Sequence, residues 1–173
     1  MSPAEARALI AHPSLTAGGP QTWADLGSGD GTFTAALASQ LQDGSVVHAM
    51  DIDARAVSDV DAPRPGVAII THVGDFTEFP WPFTDLDGML MANSLHYVED
   101  QRAFLRNAVS QLRRKRLLLV EYDTTSANAW VPYPVSYASA TALAADVGLR
   151  SITPLKRRRS VYRRAEIYAV LLE

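Results

Sequence analysis

Runs of apolar residues alternate along the chain with segments whose apolar positions recur every three or four residues. The runs are apolar at nearly every position, which is typical of strands buried on both faces of a parallel sheet. The periodic segments predict amphipathic helices. Five alternations of strand and helix therefore predict an α/β fold, a doubly wound and mostly parallel sheet with helices on both faces. The predicted strands are 22–26, 45–50, 67–73, 86–92 and 117–120, and the predicted helices between them are about 31–41, 53–60 and 99–113.

The first residues predict a separate short helix. Ser2-Pro3-Ala4-Glu5 combines capping-box spacing with proline at the first helical position, so the helix is expected to run to about Ala11. His12-Pro13 ends it, because the residue before a proline is disfavoured in helical conformation. A loop, His12–Gln21, then leads into the first strand.

The last third of the chain changes pattern. A loop (124–134) and a helix (135–147) that ends at Gly148 precede two further strands, 149–156 and 165–172. Their short connection predicts an antiparallel pair at the sheet edge. We therefore expect seven strands in one domain, 1–173, made of an N-terminal helix and loop (1–21) and a core (22–173).

A glycine-rich turn joins the first strand to the first core helix: Asp25-Leu26-Gly27-Ser28-Gly29-Asp30-Gly31. Glycines let the backbone turn tightly and let a ligand approach the peptide groups. A dinucleotide-binding fingerprint would place glycine or alanine three residues after Gly29, where this chain has Thr32. The acid-x-Gly-x-Gly-x-Gly pattern instead resembles the first motif of class I S-adenosylmethionine-dependent methyltransferases.

Further matches to that family follow the next three strands. Asp51, with Ile52 beside it, ends the second strand, where the family's carboxylate accepts hydrogen bonds from the ribose diol; Asp53 is the rival, and it can instead cap the following helix. Asp75-Phe76 stands where the family holds the adenine, although Asp75 could merely initiate a turn. Asn93 matches a residue that contributes a backbone carbonyl beside the cofactor's methionine end.

This resemblance covers about Thr22 to Leu172 and implies a Rossmann-like fold with a final antiparallel strand. It implies S-adenosylmethionine as cofactor and S-adenosylhomocysteine as product, with the amides between Gly27 and Gly31 cradling the amino-acid end. One departure is the short segment before Trp23, because the family commonly has helices there that cover the active site. We expect a cleft that is open, or closed by the loop after the fifth strand or by a second subunit.

Candidates on the acceptor side follow the fourth and fifth strands. His96 is the available general base, with packing or hydrogen bonding as the alternative role. Tyr122 and the loop residues Asn128, Trp130 and Tyr133 could form a stiff, largely apolar wall for a flat acceptor, or could simply cover the sheet edge. Methyl transfer requires alignment and exclusion of water more than proton chemistry, so the motifs indicate the cofactor better than the acceptor.

Composition narrows the chemistry. The 173 residues include no cysteine, which excludes disulfides, zinc-thiolate sites and cysteine nucleophiles. The four histidines are isolated in sequence, so no metal site is expected. Residues 1–100 carry fourteen acidic side chains against three arginines, a net charge of −11, whereas 101–173 carry thirteen basic against five acidic side chains, a net charge of +8. This asymmetry raises the prospect of an acidic or phosphate-bearing partner.

Four functions stay open at this stage. The leading hypothesis is methylation of a small molecule; the second is methylation of nucleic acid or protein, suggested by the basic C-terminal part. The third is a non-catalytic module that binds the cofactor or supports a partner, and a hydride-transfer enzyme is a distant fourth. The first residues carry no basic and apolar leader and no apolar run reaches about 18 residues, so we expect a cytoplasmic protein that does not enter the membrane, with a homodimer as a further option.

Overall fold

The sheet has the order β3-β2-β1-β4-β5-β7-β6. The computed structural model describes residues 1–58, 60, 64–159 and 166–173. Strand β7 is antiparallel to both of its neighbours, and the other pairings are parallel. The predicted seven-stranded, mostly parallel sheet with an antiparallel terminal pair is therefore confirmed. The strands are β1 Thr22–Leu26, β2 Val46–Asp51, β3 Ala68–Val73, β4 Gly88–Ala92, β5 Leu117–Tyr122, β6 Ile152–Arg159 and β7 Glu166–Leu172.

Helices cover the sheet on both faces. In β4, Leu90 packs into one apolar core and its neighbours Met89 and Met91 pack into the other, because successive strand residues point to opposite faces. Helices α1, α2 and α3 supply the first core, and α5 and α6 the second. The helices are α1 Pro3–Leu9, α2 Pro13–Thr16, α3 Thr32–Ala38, α4 Ala54–Ser58, α5 Gln101–Ser110 and α6 Tyr137–Asp146.

The N-terminal segment contains two helices where the sequence predicted one. The capping box is present: the Glu5 amide donates to Ser2 Oγ, and the Ser2 amide donates to Glu5 Oε2. The helix ends at Leu9, before the predicted Ala11. A second helix, α2, then begins inside the predicted loop, because the His12 imidazole accepts from the Ser14 amide (3.3 Å) and caps it.

Strand β3 is not buried on both faces, contrary to expectation. It lies at the edge of the sheet, and Ile70 and Val73 are 44% and 63% exposed. A run of β-branched residues favours a strand at an edge as well as in the centre, so the pattern did not distinguish the two positions. Parts of the predicted loop 61–66 and of the connection between the last two strands lie outside the described residues.

Candidate active site

A cavity of about 930 Å³ opens at the carboxyl ends of the parallel strands. It lies between the parallel neighbours β1 and β4. On one side of this point the strands follow in the order β1, β2, β3, and on the other side the sheet continues with β4 and β5. Open α/β sheets bind their ligands at such a switch point. Ten of the residues predicted from the sequence line it, and they belong to five different strand ends and turns. They are Asp25, Gly27, Ser28, Gly29, Asp51, Ile52, Asp75, Phe76, Asn93 and Tyr122.

The glycines of the turn have different roles. A Cβ added to Gly27 would come within 2.5 Å of the Ser94 Cβ, so this glycine is needed for packing within the protein. A Cβ added to Gly29 would meet no atom of the chain within 4 Å, so its free side belongs to the cavity. Gly31 does not line the cavity; it begins α3 in a left-handed conformation and packs against Val60.

Four of the five amides between Gly27 and Gly31 donate to acceptors within the protein. Those of Gly27 and Ser28 donate to the Met50 carbonyl, and that of Gly29 donates to Asp51 Oδ2 (2.8 Å). The Gly31 amide donates to the Ser28 carbonyl. Among these five amides only that of Asp30, which lines the cavity, has no acceptor in the described part of the chain. The amide cradle for a carboxylate stays a prediction, and this turn supplies few free donors for it.

Asp51 connects the turn to the end of β2. Its second oxygen, Oδ1, accepts from the Asp53 amide (2.9 Å), while Asp53 itself accepts from the Arg55 amide and starts α4. Each carboxylate oxygen retains a second acceptor position, so Asp51 can still take hydrogen bonds from a ligand. Of the two acids considered from the sequence, Asp51 lines the cavity and Asp53 does not.

Asp25 lies at the floor of the cavity and is fully buried. The Thr34 hydroxyl donates to its Oδ2 (2.6 Å), and its Oδ1 has no hydrogen-bond partner in the described part of the chain. Burial raises the pKa of Asp25 to about 7, with the nearby negative charge of Asp51 acting in the same direction. The carboxyl group is therefore poised to ionise when a cation approaches it.

Asp75 and Asn93 complete the polar lining. Asp75 Oδ1 accepts from the amide and the hydroxyl of Thr77, so the residue does initiate a turn, while its other oxygen has no partner among the described residues. Asn93 adopts a left-handed conformation (φ 56°), and its buried Oδ1 has no partner there either. Buried oxygens without partners are rare in folded proteins, and their position in a cavity points to a ligand that donates to them.

The acceptor-side expectations are only partly met. Tyr122 lines the cavity, but Asn128, Trp130 and Tyr133 do not, and Trp130 is 73% exposed. The wall is formed instead by side chains that the sequence did not assign to the site, because their positions depend on helix and strand packing. These are Phe33, Tyr97, Arg158, Arg159 and Ile167.

His96 is not placed to act as the general base. It is 2% exposed and is absent from the cavity lining; its Nδ1 is 2.6 Å from Glu121 Oε2, and its amide donates to Glu121 Oε1. The Tyr133 amide donates to the His96 carbonyl. The structure therefore supports the alternative role, in which His96 ties the turn after β4 to β5.

The sequence suggested four isolated histidines, but two of them are in contact in the structure. His48 Nδ1 lies 3.0 Å from His72 Nε2 across β2 and β3, and both rings contact Phe83. Burial lowers the pKa of both imidazoles. No cluster of three or more histidine, aspartate or glutamate side chains suited to a metal occurs in the described residues.

The N-terminal segment closes one side of the cavity. Ser2, the N-cap of α1, and Glu5, in its first turn, belong to the cavity lining, and Glu5 pairs with Arg158 of β6 (2.9 Å). Closure by the loop after β5, one of the alternatives to an open cleft that the sequence suggested, is not what this structure shows. The described residues contain no helix long and apolar enough to cross a membrane.

Residues 24–120 match a family model described as a methyltransferase domain, which is more than half of the chain. The chain belongs to this family. The resemblance of the glycine turn to class I S-adenosylmethionine-dependent methyltransferases is thereby confirmed. A search of curated proteins gives no match.

Solved structures agree on the fold of this methyltransferase. A SAM-dependent methyltransferase from Methanosarcina mazei superimposes with a TM-score of 0.70 at 14% identity, over 95% of this chain and 98% of that one. Magnesium protoporphyrin IX methyltransferase from Synechocystis PCC 6803, solved with bound SAM, gives a TM-score of 0.63 at 17% identity, over 98% and 77%. EvdMO1 gives 0.67 at 18% identity over 99% of this chain, which spans only 40% of EvdMO1.

Proposed function

We propose that this methyltransferase transfers a methyl group from S-adenosylmethionine to a small-molecule acceptor. The observation that carries the proposal is the electrostatic character of the cavity. Its cofactor half presents the carboxyl groups of Asp25, Asp51 and Asp75, and the amides of the glycine turn are mostly used internally. Such a lining attracts a cation such as a sulfonium with an ammonium group and repels a pyrophosphate, which separates this cofactor from NAD.

The residues present fit the cofactor. Asp51 has acceptor positions for the ribose diol, and Asp75 has a free oxygen for the adenine amino group. Ile52, 74% exposed at the cavity, and Phe76 offer apolar surface to the base. The partnerless oxygens of Asp25 and Asn93 suit the amino-acid end.

The protein's share in the reaction is alignment and shielding. The bound cofactor supplies an electrophilic methyl group on a positively charged sulfur. Phe33, Tyr97 and Tyr122 form an apolar wall that holds an acceptor in line and displaces water. With His96 outside the cavity, no described histidine lines it, so we propose that the acceptor loses its proton to solvent before the apolar wall shields it from water.

An assay for the formation of S-adenosylhomocysteine from S-adenosylmethionine tests the proposal. A panel of small ring compounds that carry hydroxyl, amino or carboxyl groups should contain acceptors that make S-adenosylhomocysteine form faster than it does without an acceptor. NAD and NADH should give no binding heat. Binding of the cofactor without turnover on any acceptor would favour the non-catalytic module instead.

A nucleic-acid acceptor is less well supported, because acidic side chains pair with several arginines of the two basic segments, 113–116 and 156–159. Arg113 and Arg114, which follow the end of α5, pair with Asp87, and Arg157 of β6 pairs with Asp123, just after β5, and with Glu166 at the start of β7. Arg163 and Arg164 lie outside the described residues. Retention on heparin at low salt with a steep loss on adding salt would revive this alternative.

A cytoplasmic location and a homodimer stay predictions from the sequence.

A further inference from the structure

The cavity carries opposite charges in its two halves. The carboxyl groups of Asp25, Asp51 and Asp75 lie at β1, β2 and the turn after β3, whereas Arg158 and Arg159 lie at the end of β6, on the other side of the sheet centre. The cofactor proposed above occupies the acidic half. The basic half then faces the acceptor.

The order of strands sets the distance between the arginines of the basic half and the cofactor half of the cavity. From β4, which ends beside Asn93, the sheet continues through β5 and β7 to β6, so three inter-strand spacings of together about 14 Å separate Asn93 from the arginines. In the register of the terminal strands, Tyr122 lies opposite Ile167, and Ile167 lies opposite Arg158. The tyrosine, the isoleucine and the arginines therefore form a continuous row at the carboxyl edge.

The three consecutive arginines of β6 differ in their partners. Arg157 contacts Asp123 and Glu166, and Arg158 contacts Glu5. Arg159 lines the cavity and forms no ion pair with any described residue. A guanidinium group presents parallel N–H donors that match a carboxylate, so Arg159 is available to a ligand.

Apolar side chains separate this cation from the cofactor half. Phe33 of α3, Tyr97 and Tyr122 line the space, and Ile167 is almost completely buried beside them. A wholly polar acceptor would leave these surfaces without complementary contacts. The lining matches a ligand with a flat apolar body and one anionic end.

We propose that the acceptor is a small aromatic or otherwise flat acid, and that Arg159 selects it by binding its carboxylate, with Arg158 adjacent. This assignment rests on the proposed function, because it takes the acidic half as the cofactor site. Arg159 is a specificity-determining residue in this account and takes no part in methyl transfer itself. The carboxylate anchors the acceptor at the far end of the cavity from the methyl donor.

Binding of benzoate to the protein saturated with S-adenosylhomocysteine tests the assignment, with NMR chemical shifts as the readout. Wild-type protein should bind benzoate at least about tenfold more tightly than benzamide, which lacks the charge. Arg159→Gln should weaken benzoate binding about tenfold and leave benzamide unaffected. Arg159→Lys should restore part of the affinity, because it keeps the charge without the bidentate geometry.

Lys156→Gln is the matched control, since it removes one positive charge from the same strand at an exposed position that does not line the cavity. It should leave benzoate binding unchanged, and thermal unfolding should show that each variant is folded. Equal binding of benzoate and benzamide, or equal benzoate binding by wild type and Arg159→Gln, would overturn the assignment. If S-adenosylhomocysteine itself fails to bind, the proposed function fails first, and the two results are distinguishable.

Discussion

Asp25 is a buried carboxyl group with only one of its oxygens hydrogen-bonded. The sequence indicates this residue because it opens the glycine motif, but its protonation follows from the fold. Burial raises its pKa to about 7, and the Thr34 hydroxyl offsets only part of the cost of ionisation. A cationic ligand reverses this balance, because it favours the carboxylate over the protonated form.

The affinity for S-adenosylmethionine should therefore depend on pH. Below pH 7 binding must expel a proton from Asp25, so calorimetry should show about tenfold tighter binding at pH 8 than at pH 6. Asp25→Asn should bind more weakly and lose this part of the pH dependence. The same slope in both proteins would show that the proton comes from another group, including the ligand's own amine.

The two glycines of the turn should respond differently to alanine. Both have positive φ, so each substitution costs about 1 kcal/mol of unfolding free energy through backbone strain. At Gly27 the added Cβ also overlaps Ser94, which brings the loss to about 3 kcal/mol. At Gly29 it enters the cavity, so Gly29→Ala should stay folded and lose S-adenosylhomocysteine affinity. Chemical denaturation and calorimetry on both variants measure the two effects, and equal losses of stability would contradict this division of roles.

Some residues of the candidate site could be predicted from the sequence and others could not. Asp51, Asp75 and Asn93 were predictable from the resemblance of their segments to the methyltransferase family, and the fold brings them together because the carboxyl ends of parallel strands converge at one sheet edge. Arg159 was not, since its position depends on the register of β6 against β7, which shifts between Pro154 and Arg157. The burial of His96 depends on Glu121, twenty-five residues away, and no local pattern reveals that pair.

At the level of elements, β2 and β3 are joined by the His48–His72 contact as well as by their backbone hydrogen bonds. These histidines lie two positions apart in register, because His48 is opposite Ile70 and His72 is opposite Met50. Sequence spacing alone could not bring them together, since strand order and register are needed. The same limit applies to α2, which depends on a histidine cap.

This pair should make stability fall in mild acid. Burial lowers the pKa of both histidines below their ordinary value of 6.5, so the unfolded chain binds protons more readily. Their contribution is complete above pH 6.5 and is lost as the pH falls through the lowered pKa values. Denaturant unfolding at pH 7.5 and 5.5 should show a smaller pH effect in His72→Gln than in wild type. The raised pKa of Asp25 makes stability change with pH in the opposite direction over this range. The readout is therefore the difference between wild type and His72→Gln in how far the free energy of unfolding changes with pH. Identical changes in the two proteins would contradict the prediction.

For the whole molecule, the alternation of strands and helices predicts the sheet well, because buried parallel strands have a distinctive apolar pattern. Closure of the cavity was not predictable in the same way. It depends on the packing of α1 against the end of β6 through Glu5 and Arg158, whereas the aromatic loop after β5 lies away from the cavity. The uneven charge along the sequence becomes, in the fold, a cavity that is acidic at one end and basic at the other.

The central claim is that the acidic half of this cavity binds the S-adenosyl nucleoside. Calorimetric titration with S-adenosylhomocysteine tests it most directly. Wild-type protein should bind at micromolar or tighter affinity, Asp51→Ala should weaken binding about a hundredfold through loss of charge-assisted hydrogen bonds, and Glu78→Ala, an exposed acid outside the cavity, should change nothing. Absence of binding by folded wild-type protein, or equal affinity of the two variants, would contradict the account.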